Sequence, residues 1–226
     1  MKSATRSAGS PFVNSDQTTA TLPIGGLVKR SFDVTAALFA LMIFSPIFLM
    51  IMALVKYSDN GPAFYGHTRI GHNGRQFKCL KFRTMAINGD ELLRQHLREN
   101  PEAAEEWRRT RKLKDDPRVT TVGKVLRKLS LDELPQLLNI IRGEMSVVGP
   151  RPVVDDELKV YDSFAVYYLR TRPGLTGLWQ ISGRNDVSYE TRIAFDTQYV
   201  QTWSLFQDIA IIAKTIPAVC FARGSY

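Results

Sequence analysis

From Val34 to Val55 the chain runs 22 residues without a charged side chain. As a helix this run measures about 33 Å at ~1.5 Å per residue, close to the thickness of a bilayer core. The simplest expectation is one membrane-spanning helix. Ser45-Pro46 interrupts the run near its middle. Pro46 cannot donate to the carbonyl of Met42, and its ring clashes there, which favours a kink. The Ser45 hydroxyl can bond a freed carbonyl and make the break tolerable in lipid. Both flanks are basic: Lys29 and Arg30 precede the run, and Lys56, Arg69, Arg75, Lys78, Lys81 and Arg83 follow it. The positive-inside tendency pulls both ends to the cytoplasmic side, which both can satisfy only if the segment enters and leaves by one face. A re-entrant hairpin and a kinked span are equally supported by these residues. Asp33 can pair with Lys29 or Arg30 at the interface.

The chain has 226 residues, enough for one or two domains with a real core, and a net charge of +8. That charge implies an anionic partner: nucleic acid, acidic lipid or a phosphorylated substrate. Cys79 and Cys220 have no metal-ligand spacing, so a reducing, cytoplasm-facing domain is expected. Residues 1–28 are rich in Ser, Thr and Ala and read as a disordered tail. The apolar run is too long for a signal peptide, and no small-x-small cleavage site follows it.

Asn60 to Met85 is rich in Gly and aromatics, cationic, and free of acids. Within it Phe77 to Met85 reads as a strand. The stretch suits either a solvated strand-turn-strand or a cradle for phosphate or lipid headgroups. Gly89 to Lys114 is a charged helical region interrupted by Pro101. Val122, Val125, Leu126 and Leu129 fall at helical spacing, as do Leu134, Leu137, Leu138 and Ile141. Between these stripes stand two adjacent carboxylates, Asp132 and Glu133. Ser130 and Glu133 match a capping box, but Pro135 sits badly inside a helix starting at Ser130. A helix beginning near Pro135 resolves the conflict. The carboxylates then lie just before a helix N-terminus, where phosphates bind and the dipole favours an ionised carboxylate. Taken alone, such a pair is most often a helix cap. Near the C-terminus, Leu205, Ile209, Ile212 and Ile216 form a stripe that suits an interfacial helix or a core helix equally.

Some signals are missing. There is no G-x-G-x-x-G and no D-x-D for a nucleotide-sugar metal site. Gly61 to Thr68 mimics a P-loop, but His67 stands where the Lys belongs.

Several long motifs occur in order: KRSFD at Lys29–Asp33, KFRTM at Lys81–Met85, DDPRVTTVGKVLRKLSLDELPQLLN at Asp115–Asn139, MSVVGPRP at Met145–Pro152 and RPGLTGLWQISGR at Arg172–Arg184. With the broken apolar run, they resemble the bacterial sugar transferases, the monotopic polyprenyl-phosphate hexose-1-phosphate (phosphoglycosyl) transferases. The likeness runs from about Lys29 to the C-terminus, and the short chain is most similar to exopolysaccharide initiators of the ExoY type. The resemblance implies an α-rich α/β (α+β) monotopic membrane protein. Its parts would be a tail over 1–28, a re-entrant membrane helix over 29–57 hinged at Ser45-Pro46, and a catalytic domain over 58–226. That domain would carry amphipathic interfacial helices and sit on the cytoplasmic face of the bacterial inner membrane.

The implied reaction transfers hexose-1-phosphate, galactose-1-phosphate in the nearest group and glucose-1-phosphate in close relatives, from a UDP-hexose to undecaprenyl phosphate. UMP is released, and the step opens exopolysaccharide repeat-unit assembly ahead of downstream glycosyltransferases. The family roles fall on Asp132 as nucleophile, Glu133 as its dyad partner, Mg²⁺ as cofactor, Arg127 five residues before the nucleophile, and Arg151 on the nucleotide side.

The residues fit that chemistry. A carboxylate can attack the phosphate next to the sugar and form an aspartyl-phosphosugar. Mg²⁺ typically binds one or two carboxylates plus substrate phosphates, here Asp132 and Glu133. Arg127, Arg83 and Lys81 can supply further positive charge to a phosphate group. The attacking lipid phosphate is already deprotonated, so Glu133 reads as a metal ligand or positioner and not an obligatory base. The rival from another class is a membrane-anchored, non-enzymatic binder of nucleic acid or acidic lipid. It explains the charge and the apolar run but leaves the Asp132-Glu133 pair without a task. On the enzymatic reading the partners are the UDP-hexose, the lipid phosphate and the membrane, and not nucleic acid.

Overall fold

The computed structural model describes residues 22–182 and 187–220, with side chains to Pro217. One long helix lies against an assembly of short helices and two small sheets. Helix α1 (Gly26–Asp59) contains the whole apolar run. Strands β1 (Phe64–Ile70) and β2 (Gln76–Phe82) form an antiparallel hairpin, with Tyr65 opposite Lys81. Helices α2 (Gly89–Glu99), α3 (Pro101–Thr110), α4 (Thr121–Lys128) and α5 (Gln136–Arg142) follow. Strand β3 (Ser146–Val148) pairs in parallel with β4 (Gly174–Thr176). The short α6 (Asp155–Val160) and α7 (Ala165–Leu169) lie between those strands. Then come α8 (Leu178–Ile181), α9 (Tyr189–Gln201) and α10 (Leu205–Cys220).

Helix α1 is long and apolar enough to cross a membrane. The hinge expected at Ser45-Pro46 is not a gap in it: the helix is continuous through Pro46. Ser45 Oγ donates to the Met42 carbonyl at 2.9 Å, satisfying the group that Pro46 leaves without a donor. The helix packs on the rest of the chain at both ends. Ala37, Ala40 and Leu41 meet Phe77, Cys79, Leu137, Ile140 and Met145. Ile51 and Val55 meet Phe82 and Leu126. Between these contacts Met42, Ile43, Phe44, Leu49 and Met50 are exposed apolar side chains.

The expected boundaries need adjustment. The helix starts at Gly26 and ends at Asp59, wider than 29–57. The expected tail also reached too far. Pro23 is buried, Ile24 N–H donates to the Arg170 carbonyl at 3.0 Å, and Ile24 packs beside Val148 and Tyr199. Two apolar residues suffice to hold this short entry, despite the polar composition before it.

The N-terminal turn of α1 is held by buried charge. Lys29 Nζ donates to Asp208 Oδ2 at 2.6 Å, and both residues are buried. Asp208 also accepts from Tyr199 Oη at 2.7 Å and Trp203 Nε1 at 3.1 Å. Asp33 accepts from Ser146 Oγ at 2.9 Å and Val147 N–H at 3.0 Å, so it reaches well beyond the interface pair expected of it. Of the stripe expected on α10, Ile209 and Ile216 are exposed and Leu205 and Ile212 are half-buried, while the apolar core residue of the helix is Ile211, off the stripe. The two-stranded sheets among many helices agree with a mixed, helix-rich fold compatible with a monotopic membrane protein.

Candidate active site

Asp132 and Glu133 lie in one turn of 3-10 helix, Leu131–Glu133, directly before α5. Ser130 does not cap it. Its backbone is left-handed at φ 55, and its side chain makes no cap bond. Pro135 instead takes helical angles at the start of α5, its preferred place. A non-glycine residue held at positive φ is a local cost of roughly 1–2 kcal/mol, here accepted next to the carboxylate pair.

Strand β2 brings Lys81 to the pair. Lys81 Nζ lies 2.6 Å from Glu133 Oε1 and 3.4 Å from Asp132 Oδ2. The buried Asn139 on α5 sets this register. Its Oδ1 accepts from Leu80 N–H at 2.9 Å, and its Nδ2 donates to the Lys78 carbonyl at 2.8 Å. One amide thus ties the helix after the dyad to the strand that carries Lys81.

Helix α4 supplies Arg127. Thr120 caps α4 by accepting from Gly123 N–H at 2.9 Å. Gly123 lies on the Thr84 backbone, where a Cβ would overlap the carbonyl oxygen. This close approach lets Arg127 Nε donate to Thr84 Oγ1 at 2.9 Å. Among the described residues its terminal nitrogens enter no ion pair.

These residues line one open cleft of about 830 Å³, together with Arg83, Tyr65, Ile87, Asp90 and Arg118. Arg83 is placed there as expected, but its guanidinium is already engaged. Its Nη atoms grip the Asp59 carboxylate at the end of α1, its Nε donates to the Pro62 carbonyl at 2.7 Å, and further bonds reach the Met85 and Val55 carbonyls. All five N–H groups are used. Arg83 therefore fastens the cleft wall to α1, and all its donors are engaged within the protein. Arg151 is not among the cleft-lining residues; its guanidinium lies 5.8 Å from the Trp179 ring centroid, and Arg192 lies 4.2 Å from the same ring.

Three residues escaped the sequence reading. Asp59 ends α1, Asp90 lies in the first turn of α2, and Arg118 makes a bidentate pair with Asp116 over the Trp107 ring. The signals were present but faint: an acid closing a run with basic flanks, and the Asp-Asp-Pro-Arg string.

Burial raises the Asp132 carboxyl above the usual range, against the pull of Lys81; Glu133 adds to the rise. Desolvation thus works against the helix start, which favours the ionised form. For Lys81, burial alone would lower the ammonium, but Glu133 and then Asp132 outweigh that, and its net shift is upward. It stays cationic.

The donor chemistry suits a hard divalent cation. Asp132 Oδ1 and Glu133 Oε2 accept no hydrogen bond among the described residues, while Lys81 already sits as a cation against the other oxygens. Two carboxylate oxygens plus substrate phosphates are a usual Mg²⁺ set. No described cluster of three or more His, Cys, Asp or Glu would hold a metal by itself.

The family model for bacterial sugar transferases matches residues 24–222. The chain belongs to the bacterial sugar transferase family. It is 75% identical to the exopolysaccharide production protein ExoY of Rhizobium meliloti (strain 1021) over the full length of both chains. It is 52% identical over 200 residues to the undecaprenyl-phosphate galactose phosphotransferase of Salmonella typhimurium, covering 88% of this chain and 42% of that protein. It is 40% identical over 210 residues to the UDP-glucose:undecaprenyl-phosphate glucose-1-phosphate transferase of Caulobacter vibrioides, covering 88% of this chain and 72% of that one. The long apolar helix fits membrane association.

Proposed function

We propose that this sugar transferase moves hexose-1-phosphate, galactose-1-phosphate in the first instance, from a UDP-hexose to undecaprenyl phosphate and releases UMP. The observation that carries the reading is a buried carboxylate, Asp132, paired with Glu133 and Lys81 in a cationic cleft fastened to the membrane helix. The galactose choice rests on the Salmonella relative's name; the Caulobacter relative's name keeps glucose as the alternative.

An Asp132 oxygen attacks the phosphorus bonded to the sugar. The bond from that phosphorus to the UMP oxygen breaks, UMP leaves with the electron pair, and an aspartyl-phosphosugar forms. An oxygen of the lipid phosphate then attacks the same phosphorus. The acyl-phosphate bond breaks, the Asp132 carboxylate returns, and a new diphosphate links lipid and sugar. No proton needs to move in either step. Lys81 holds the dyad and stays cationic, and Arg127 offers its free terminal nitrogens to phosphate oxygens. Asp132 and Glu133 would hold Mg²⁺, which when bound neutralises charge on the donor diphosphate.

The membrane placement follows from α1. Both of its ends pack on one domain, through Lys29 and Asp33 at one end and Ile51 and Val55 at the other. A helix crossing a ~30 Å core would carry one end away from that domain. We therefore read α1 as re-entrant, entering and leaving by the cytoplasmic face of the bacterial inner membrane. Its exposed middle lies in lipid. Exopolysaccharide assembly would continue with downstream glycosyltransferases.

The test is UMP release by purified protein with undecaprenyl phosphate and a panel of UDP-sugars. Without the lipid, exchange of labelled UMP into UDP-hexose should persist, because the first half-reaction is reversible. Release of UDP instead of UMP would make the protein a conventional glycosyltransferase. Salt-sensitive nucleic-acid binding without UMP release would leave a non-enzymatic binder. Turnover with lipid but no exchange would remove the covalent intermediate alone.

A further inference from the structure

The cleft lining is of two kinds: Lys81, Arg127, Asp132 and Glu133 are ionic, while Tyr65, Met85 and Ile87 are largely apolar. Two of the apolar residues are conspicuous on physical grounds. Ile87 is 62% exposed and Tyr65 is 56% exposed. Exposing large apolar side chains beside a charged dyad costs solvation free energy that a polar residue would avoid.

Ile87 is also anchored to the end of the membrane helix. Its N–H donates to Asp59 Oδ2 at 3.2 Å, the same carboxylate that Arg83 grips. Gly61 closes the contact: a Cβ there would stand 2.6 Å from Ile87 Cδ1. Leu54 and Met50, on the C-terminal half of α1, are exposed at 49% and 54%. Val125 and Leu129 are exposed on α4, whose Leu126 packs against Ile51 and Val55. Exposed apolar side chains therefore stand both on the flank of α1 and at the lip of the cleft, which Asp59 and Gly61 hold together. At the inner end Tyr65 stands opposite Lys81 in the ladder.

We propose that the Ile87–Tyr65 lip is the seat of the first isoprene units of the lipid acceptor, carrying the chain from the bilayer to a phosphate held beside Lys81 and Arg127. The inference rests on the transferase reading above and adds the acceptor subsite. A nucleotide donor, with its ribose and diphosphate, has no use for an apolar lip anchored to the end of the membrane helix. An isoprenoid anchored in the bilayer must keep apolar cover until its phosphate reaches the dyad.

The test uses the full-length protein in nanodiscs, with undecaprenyl phosphate and a short water-soluble phosphate that has no isoprene unit as acceptors. Ile87→Ser removes apolar cover without adding charge. It should raise KM for undecaprenyl phosphate about fivefold, the order expected from losing one or two buried methyl groups. KM for UDP-hexose should change much less. Ile87→Leu, still apolar, should restore the acceptor KM. The short acceptor should show a smaller rise than the long one, since less chain crosses the lip. An unchanged KM for undecaprenyl phosphate in a folded Ile87→Ser protein would overturn the proposal. So would equal rises for the UDP-hexose and the lipid, which would assign the lip to the sugar donor. Absence of UMP exchange in the unsubstituted protein would instead defeat the covalent mechanism and leave the acceptor subsite to be judged on the KM values alone.

Discussion

Lys29 and Asp208 stand 179 positions apart in the chain and 2.6 Å apart in the fold, both removed from water. This contact locks the first turn of the membrane helix to the last described helix. Asp33 lies beside it, with Lys29 Nζ 4.0 Å from its Oδ1, and its Oδ2 is buried without a hydrogen bond. One ammonium thus neutralises two buried carboxylates in part.

Lys29→Met should therefore destabilise the protein severely. Breaking a buried pair from one side leaves uncompensated charge and typically costs about 3–5 kcal/mol. Thermal unfolding in detergent would measure it. The Lys29→Met/Asp208→Asn double variant should lose less than the sum of the two single losses, because neutral Asn relieves the orphaned charge. Strict additivity would mean that the contact carries no coupling.

Asp132→Asn should abolish UMP exchange and full turnover together while leaving folding and membrane binding intact. The amide matches the carboxylate in shape but is a far weaker nucleophile. Glu133→Gln should be severely impaired, through loss of the charge that pairs with Lys81. Near-normal UMP release by folded Asp132→Asn would remove Asp132 as nucleophile.

Stability should fall as pH rises between about 4 and 7, through Asp196. Burial pushes this carboxyl up to about 7, although Tyr161 Oη donates to it at 2.7 Å. The unfolded chain loses the proton first, near 3.8, and the folded chain only near 7. Across that window the folded state binds more protons, so its advantage is complete below the window and gone above it. Unfolding measured from pH 4 to 8 should slope downward. The difference curve against Asp196→Asn should isolate the slope, and a flat difference curve would show that burial does not perturb Asp196.

The N-terminal tail and the catalytic cleft should face the same compartment. Single cysteines placed in residues 2–20 should resist an impermeant thiol reagent in intact cells and react after lysis. Native Cys79 contributes little background, since it is buried and its thiol is pushed up to about 11. Replacing Cys220 removes the other native thiol. Labelling from outside would mean that α1 spans.

Local chemistry was legible in the chain itself. The uncharged length of Val34–Val55, the helix start at Pro135 and the break before Pro101 each follow from residues within one or two turns, whereas the strand expected over Phe77–Met85 runs from Gln76 to Phe82. The dyad and its basic neighbours were legible too, because charge, spacing and ordered motifs are written along the sequence. The partners of those charges were not legible. Lys81 and Arg83 are two residues apart and read alike, yet one meets Glu133 and the other is consumed by Asp59. Asn139 looks like an ordinary helix residue until β2 is laid beside it. Asp208 reads as one of two charges on an otherwise apolar helix until Lys29 arrives from the other end. Sequence period decides which face a side chain takes, but only tertiary packing decides what stands opposite and how much water remains. Desolvation and ion pairing depend on that, and they separate a phosphate ligand from a structural clamp.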